Sequence, residues 1–495
     1  MDLINNILLG LSVAITPANL LYVLIGCVLG TLIGVLPGIG PMATMSMLMP
    51  ITFSLSPESA VIMLAGIYYG AMYGGSTTSI LVNLPGETSS VVTCIDGHKM
   101  AQQGKAGKAL ATAALGSLFA GFIGVILLAT FSAPMTEIAF EFGAPDFFSL
   151  ILLGLVGSII ITSGPLLNSL GMVIIGLLLS TVGADIETGI ERYTLGLPEL
   201  YNGVGFIVIA MGLFGYSEII SNLSLGNINN RELLTNKISG LFPNRQDFKN
   251  MTPAILRGTF LGSVLGALPG GGAILASFSS YTMESKVKLK PGEVPLGEGN
   301  IRGVAGPESA NNAAAQTSFI PMLTLGIPSN AIMALMIGTL IMHGIQPGPQ
   351  VINNNPELFW GLTVSMIIGN IMLVILNLPL IGIWVRMLNV PYRLLFPSVV
   401  VFCVIGVYCS TYSVFDVALV GIFGIVGYVL VQLKLNPVPL IMGFILGPML
   451  EVNFRRSLVL SNGHWDTFIN RPISLTLLVI IVILFLVTYF SKIKK

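Results

Sequence analysis

Four consecutive hydroxyls, Ser76-Thr77-Thr78-Ser79, end a stretch that starts at Tyr69 and contains Gly70, Gly74 and Gly75. A second polar stretch reads Gly306-Pro307-Glu308-Ser309-Ala310-Asn311-Asn312 and continues through Gln316-Thr317-Ser318. Both set small donors and acceptors into otherwise apolar sequence, where an unsatisfied polar group is expensive. Hydroxyls in a helix can bond back to a carbonyl one turn earlier, which would make them merely structural. Ligand binding is the other chemistry these residue types suit. No Lys or Arg occurs between Met1 and His98 or between Gly303 and Val385. An anion bound here must therefore be held by backbone N–H groups at helix N-termini and by Ser, Thr and Asn side chains. A neutral cage of this kind can release its cargo.

Each stretch runs into a Gly/Pro break, Asn83-Leu84-Pro85-Gly86 in one case and Leu325-Gly326-Ile327-Pro328-Ser329 in the other. Each is also preceded by a break. Gly30-Thr31-Leu32-Ile33-Gly34-Val35-Leu36-Pro37-Gly38-Ile39-Gly40 reappears as Gly262-Ser263-Val264-Leu265-Gly266-Ala267-Leu268-Pro269-Gly270-Gly271-Gly272, at an offset of 232 (262 − 30). The second pair of breaks is offset by 243 (328 − 85), so extra residues enter the second copy before it. The polar segment from Glu284 to Asn300 has room for them. Paired broken segments in two halves point to the binding site of a secondary transporter, because irregular backbone at membrane depth must line a cavity or a ligand. Kinking and close packing are the structural alternative for such Gly and Pro residues. The substrate-binding candidates are Gly38, Gly40, Ser76, Thr77, Thr78, Asn83, Asn311, Asn312, Thr317, Ser318 and Gly326. Asn83, Asn312 and Glu308 are the candidates for a coupling cation.

The elements that must position these residues follow from hydropathy. Of 495 residues, 54% are hydrophobic and 9% charged, with a mean hydropathy of +0.89. Soluble domains carry roughly 25% charged residues, so lipid is the solvent. Apolar runs near the ~20 residues needed to span a bilayer cover Leu20 to Leu36, Ala109 to Phe131, Phe148 to Thr162, Leu166 to Val182, Tyr201 to Ile220, Phe359 to Leu376, Leu395 to Tyr412, Phe415 to Val431 and Ile473 to Phe490. With shorter broken runs between them, about ten to thirteen membrane segments are expected. The fold class is thus an all-α polytopic membrane protein with two repeated halves, the second inverted, and Gly/Pro-broken or re-entrant helices. Residues 1–220 form the first half, 221–252 a polar cytoplasmic linker, and 253–495 the second half with a C-terminal helix. Basic residues cluster at Lys99 to Lys108, Arg231 to Arg257, Lys286 to Arg302 and Lys492 to Lys495. The positive-inside rule puts these in the cytoplasm. The first basic residue is Lys99, so the N-terminus has no charged n-region of a signal peptide and should be retained.

Other chemistries find no support. Gly270-Gly271-Gly272 lacks the Lys-Ser/Thr ending of a phosphate loop, which argues against ATP hydrolysis. His98, His343 and His464 show no metal-ligand spacing, and Cys27, Cys94, Cys403 and Cys409 no CxxC pair. No catalytic triad or paired carboxylates stand out, so an enzyme and a cofactor are not expected. The net charge of +0 offers no field for nucleic acid. Moving one negative charge inward against about 100 mV costs ~2.3 kcal/mol, hence roughly 7 kcal/mol for a trianion, so uptake needs a cotransported cation. Na⁺ would suit carbonyl and Asn oxygens and a proton would suit Glu308. The scarcity of carboxylates near the breaks favours Na⁺.

Leu36-Pro37-Gly38-Ile39-Gly40-Pro41, Tyr73-Gly74-Gly75-Ser76-Thr77-Thr78-Ser79-Ile80-Leu81, Asn83-Leu84-Pro85-Gly86, Pro307-Glu308-Ser309-Ala310-Asn311-Asn312-Ala313 and Leu325-Gly326-Ile327-Pro328 together resemble the TctA family, the large membrane subunits of tripartite tricarboxylate transporters. The likeness runs from about Leu20 through Pro349 in motifs and to the C-terminus in hydropathy. It implies a permease of the bacterial inner membrane, taking up a carboxylate such as citrate. Its implied partners are a small membrane subunit and a periplasmic solute-binding protein that delivers the substrate. One departure is Ser329-Asn330, where Gly-Ser is common in the family. Two rivals remain, an organic-anion symporter acting alone and a channel whose filter also uses irregular backbone.

Overall fold

The computed structural model describes residues 3–36, 40–161, 165–185, 188–224, 240, 242–268, 272–290, 293–387, 400–401, 404–409 and 411–493. Gly38, Gly270, Cys403, most of the polar linker and much of the apolar run from Leu395 to Tyr412 therefore lie outside the described residues. The chain is all-α, apart from a two-residue hairpin pairing Gly183–Ala184 with Glu191–Arg192 among the described residues.

In chain order the α-helices of five or more residues among the described residues are α1 Leu3–Ala14, α2 Pro17–Val35, α3 Pro41–Thr52, α4 Pro57–Val82, α5 Ala106–Phe140, α6 Ala144–Ile161, α7 Leu166–Ser180, α8 Phe206–Ala210 and α9 Ser217–Ser224. They continue as α10 Arg245–Ala267, α11 Gly272–Lys286, α12 Arg302–Thr317, α13 Phe319–Leu325, α14 Ala331–Met342, α15 Pro356–Asn377, α16 Ile381–Met387, α17 Val414–Gln432, α18 Val438–Leu460 and α19 Pro472–Ile493. Among the described residues five are long and apolar enough to cross a membrane, namely α2, α5, α15, α17 and α18, and six shorter apolar helices accompany them. α5 outruns its apolar stretch at both ends, and α1, α14 and α18 are apolar helices the apolar-run reading did not single out.

The helices start where the sequence supplies caps. Thr16 accepts from the Asn19 N–H before Pro17, and Ser56 accepts from the Ser59 N–H before Pro57. Asn244 and Asp247 form a reciprocal capping box at α10. They stop where it supplies breaks. α4 ends at Asn83 (φ 58°) and α13 at Gly326 (φ 71°), both left-handed and separated by the same offset of 243 (326 − 83). Gly326 is required twice over, since a Cβ there would also lie 2.6 Å from the Pro347 carbonyl oxygen.

Packing carries the repeat further. On α2, a Cβ added to Gly26, Gly30 or Gly34 would come within 2.3 to 2.4 Å of the carbonyl oxygens of Met63, Ile67 and Ala71 on α4. On α10, a Cβ at Gly258, Gly262 or Gly266 would come within 2.2 to 2.5 Å of the carbonyl oxygens of Gly306, Ala310 and Ala314 on α12. The glycines are related by 232 and their carbonyl partners by 243, the two offsets present in the sequence. Small residues permit this backbone approach, and in lipid such packing replaces the hydrophobic drive that holds soluble helices together.

Polar clasps hold the ends. Glu284, fully buried, binds Arg257 at 2.7 Å and Arg302 at 2.9 Å, and Arg302 reaches Glu293 at 3.1 Å. Asp96 lies in a wide turn over Cys94–His98, and its Oδ1 accepts the N–H groups of Gly297, Gly299 and Asn300 at 2.7 to 2.9 Å. Its Oδ2 accepts from the Tyr281 hydroxyl. At the other ends of the long helices, Asp146 binds Arg471 at 2.7 Å, and Asp185 and Glu451 bind Arg192 and Arg455.

Candidate substrate and cation site

The polar stretch of α12 and the hydroxyl stretch of α4 meet at one carboxylate. Glu308 is completely buried. Its Oε2 accepts from the Ser76 hydroxyl at 2.5 Å and from Asn311 Nδ2 at 3.3 Å, and its Oε1 accepts from the Thr93 hydroxyl. Ser76 and Thr93 come from the first half and Asn311 from the second. Asn312 donates from Nδ2 to the Glu308 carbonyl at 3.1 Å, to Ser117 Oγ of α5 at 2.7 Å and to Asn311 Oδ1 at 2.6 Å. A carbonyl can only accept, so the Asn312 amide is oriented nitrogen-first. Asn311 must then offer its oxygen to Asn312 and its nitrogen to Glu308. The amide part of the network is therefore directional, while the single Ser76 hydroxyl hydrogen lies between two acceptors, Glu308 Oε2 and the Met72 carbonyl at 3.0 Å.

The remaining candidates fall at the helix ends or against their own helices. Thr77 is buried and lines a narrow crevice with Tyr73, Ser76, Leu110, Ala113, Ala114, Ser117 and Asn377. Thr78 turns the other way, donating to the carbonyl of Val35 at 2.8 Å where α2 breaks off. Thr317 and Ser318 bond back to the carbonyls of Ala313 and Ala314, at 3.0 and 2.6 Å. Ser318 also accepts weakly from Asn330 Nδ2 at 3.5 Å, and the same amide donates to the Tyr68 hydroxyl at 3.2 Å. Asn83 is exposed and serves the backbone as the left-handed end of α4. Gly40 caps the N-terminus of α3, and its N–H donates to Glu218 Oε1 at 2.8 Å.

Four participants were not among the sequence candidates. Thr93, Ser117 and Glu218 lie in other segments and carry no local signal. Asn330 stands at the one place where the sequence departs from the TctA pattern. It caps α14 by accepting from the Met333 N–H at 3.0 Å while its nitrogen reaches Tyr68 and Ser318.

The fold and this buried polar centre define an all-α multi-pass membrane protein built around paired broken helices. The family model of the tripartite tricarboxylate transporter TctA family matches residues 20–442. The chain belongs to that family, whose members are transporter components rather than enzymes. It is 54% identical over 480 residues to an Agrobacterium vitis protein described as "Uncharacterized 52.8 kDa protein in TAR-I ttuC' 3'region", a match covering 97% of this chain and 95% of the relative. A second protein of that organism, "Uncharacterized protein in TAR-II ttuC' 3'region", is 56% identical over 217 residues, covering 44% of this chain and 89% of the relative. No solved structure matches the chain.

Proposed function

We propose that this chain is the permease subunit of a binding-protein-dependent secondary transporter that takes up tricarboxylates or related organic anions with Na⁺ or H⁺ across the bacterial inner membrane. A small membrane subunit and a periplasmic solute-binding protein complete the system. The observation that carries this reading is Glu308, a buried carboxylate shared by hydroxyls of one half and an amide of the other. It lies in a stretch without Lys or Arg. An ionisable group at such depth marks an ion or substrate pathway.

Substrate is assigned to the helix breaks. The N-terminus of α3 already holds a carboxylate, that of Glu218, on the Gly40 N–H, which is the chemistry a carboxylate substrate needs. Gly40, Thr78, Asn83, Ser318 and Gly326 line or shape these breaks in this reading. Ser76, Thr77, Asn311, Asn312, Thr317 and Glu308 then belong to the body behind them, where the cation binds. The two halves are inverted copies, so the breaks approach the membrane centre from opposite faces.

Uptake of labelled citrate into proteoliposomes holding the assembled system tests this. Saturable uptake should require the binding protein and an inward Na⁺ or H⁺ gradient. Uptake sustained by ATP without an ion gradient would defeat the proposal, and equal uptake without the binding protein would favour the stand-alone symporter.

A further inference from the structure

α12 presents Glu308, Asn312 and Gln316 at positions i, i+4 and i+8, which places them on one face about 6 Å apart along the axis. That face packs on α5. Ser117 meets Asn312, and a Cβ on Gly124 would lie 2.6 Å from Gln316 Cβ. All three side chains are completely buried.

Their hydrogen bonding declines along the row. Glu308 has a donor on each carboxylate oxygen. Asn312 uses its nitrogen three times, but its Oδ1 has no partner among the described residues. Gln316 has none for either Oε1 or Nε2. In the other direction, Ser76 connects Glu308 to the crevice that ends at Asn377. Asn377 Nδ2 donates to the Leu373 carbonyl at 2.9 Å, which fixes the amide, and its Oδ1 is again without a partner. Asn377 is only 3% exposed.

A buried amide left unpaired is destabilising, and Leu or Met would fill the same volume without that penalty. Three of the four unpaired atoms, Asn312 Oδ1, Gln316 Oε1 and Asn377 Oδ1, are acceptors. They call for a cation or for water hydrogens. Tyr73, Glu87 and Cys94 lie near enough to feel the Glu308 charge, and none of them is cationic. Asn377 ends α15, and the crevice also touches Leu110, in the first turns of α5 beside Lys105 and Lys108. The basic residues put that end on the cytoplasmic side.

We propose that Gln316, Asn312, Glu308 and Asn377 line a hydrated path for the monovalent cation that drives transport, separate from the helix breaks that hold the anion. This rests on the cation-coupled reading above and adds the route and two residues, Gln316 and Asn377. The cation is H⁺ or Na⁺, and both are tested.

The experiment uses the assembled system in proteoliposomes, with ²²Na⁺ flux, an internal pH-sensitive dye and labelled citrate. Gln316→Leu and Asn377→Leu should each raise the half-saturation for one of the two cations at least tenfold. Citrate half-saturation at saturating cation should stay within twofold of wild type. An unchanged cation half-saturation, with a purified chain that melts higher than wild type, would show that Gln316 is only a burdened packing residue and would overturn the inference. Should either Leu variant fail to accumulate, Asn377→Cys, at the cytoplasmic end of the path, decides the matter. A small membrane-impermeant thiosulfonate should modify it from the cytoplasmic side if the path is hydrated, and protection there overturns the inference. A wild-type system indifferent to both cations would sink the cation-coupled reading as a whole. Cation-dependent wild-type uptake with an unaltered Gln316→Leu would sink only the path.

Discussion

Asn312→Ala should weaken cation binding more than Asn312→Asp, although both remove the same amide donor. The Asn312 nitrogen faces the Glu308 carbonyl at 3.1 Å and Asn311 Oδ1 at 2.6 Å, both acceptors. Alanine leaves Asn311 Oδ1 bare and free to rotate away from Glu308. A buried acceptor stripped of its partner costs about 1 to 3 kcal/mol, so the cation half-saturation should rise about 5- to 150-fold. Aspartate also loses the donor and turns an oxygen onto each of those acceptors. It further places a second carboxylate one helical turn, about 6 Å, from Glu308. At an effective dielectric of about 20 the repulsion is about 3 kcal/mol, which a bound cation relieves, so this charge pulls the cation half-saturation back down by a factor on the order of 100. Cation-dependent citrate uptake, normalised to the amount of protein in the membrane, gives both half-saturations. An Asp variant whose cation half-saturation equals or exceeds that of the Ala variant would refute the placement of the cation beside Glu308. Reduced abundance with unchanged half-saturation in both would make Asn312 a packing residue.

Three further outcomes are expected. Gly30→Val and Gly262→Val should each abolish accumulation of folded protein, because the added carbons fall within 2.4 Å of a backbone oxygen; normal membrane levels of either would disprove the close seam. Asp96→Ala removes the acceptor of three backbone amides and of Tyr281. Limited proteolysis from the cytoplasmic side should then cut the 293–301 loop at least tenfold faster, and equal rates would deny the clasp. With inverted halves, Leu36→Cys and Leu268→Cys, beside the two breaks, should be labelled from opposite membrane faces in a given state; labelling of both from one face would reject inversion.

Much of the architecture was legible because it is periodic or punctuated. The two offsets of 232 and 243 lie in Leu-Pro-Gly and Ile-Pro motifs, and the same offsets relate the glycine seams and their carbonyl partners. Asn83 and Gly326 could be seen as breaks because few other residues end a helix left-handed. The meeting of Ser76 with Asn311 around Glu308 was expected only in outline. Thr93 follows the local hydroxyls Thr88, Ser89 and Ser90 with nothing to single it out, and Ser117, in Leu115-Gly116-Ser117-Leu118, is a lone hydroxyl in an apolar run that carries no signal. Glu218 reaches Gly40 across 178 positions, and such pairings follow from tertiary packing alone. Thr317 and Ser318 show the reverse case, since their hydroxyls bond back to their own helix. Spacing cannot separate that use from ligand binding.

The glycine seams between α2 and α4 and between α10 and α12 also bear on mechanics. Where would-be carbons meet carbonyl oxygens at 2.2 to 2.5 Å, the backbones are already at contact, and neither helix can slide along or roll over its partner without steric collision. Each pair is thus a stiff lever with a helix break at its tip. Whatever displacement carries a bound anion across the bilayer must be taken up at the hinges and outer surfaces of these levers. The seams themselves would transmit force almost without loss.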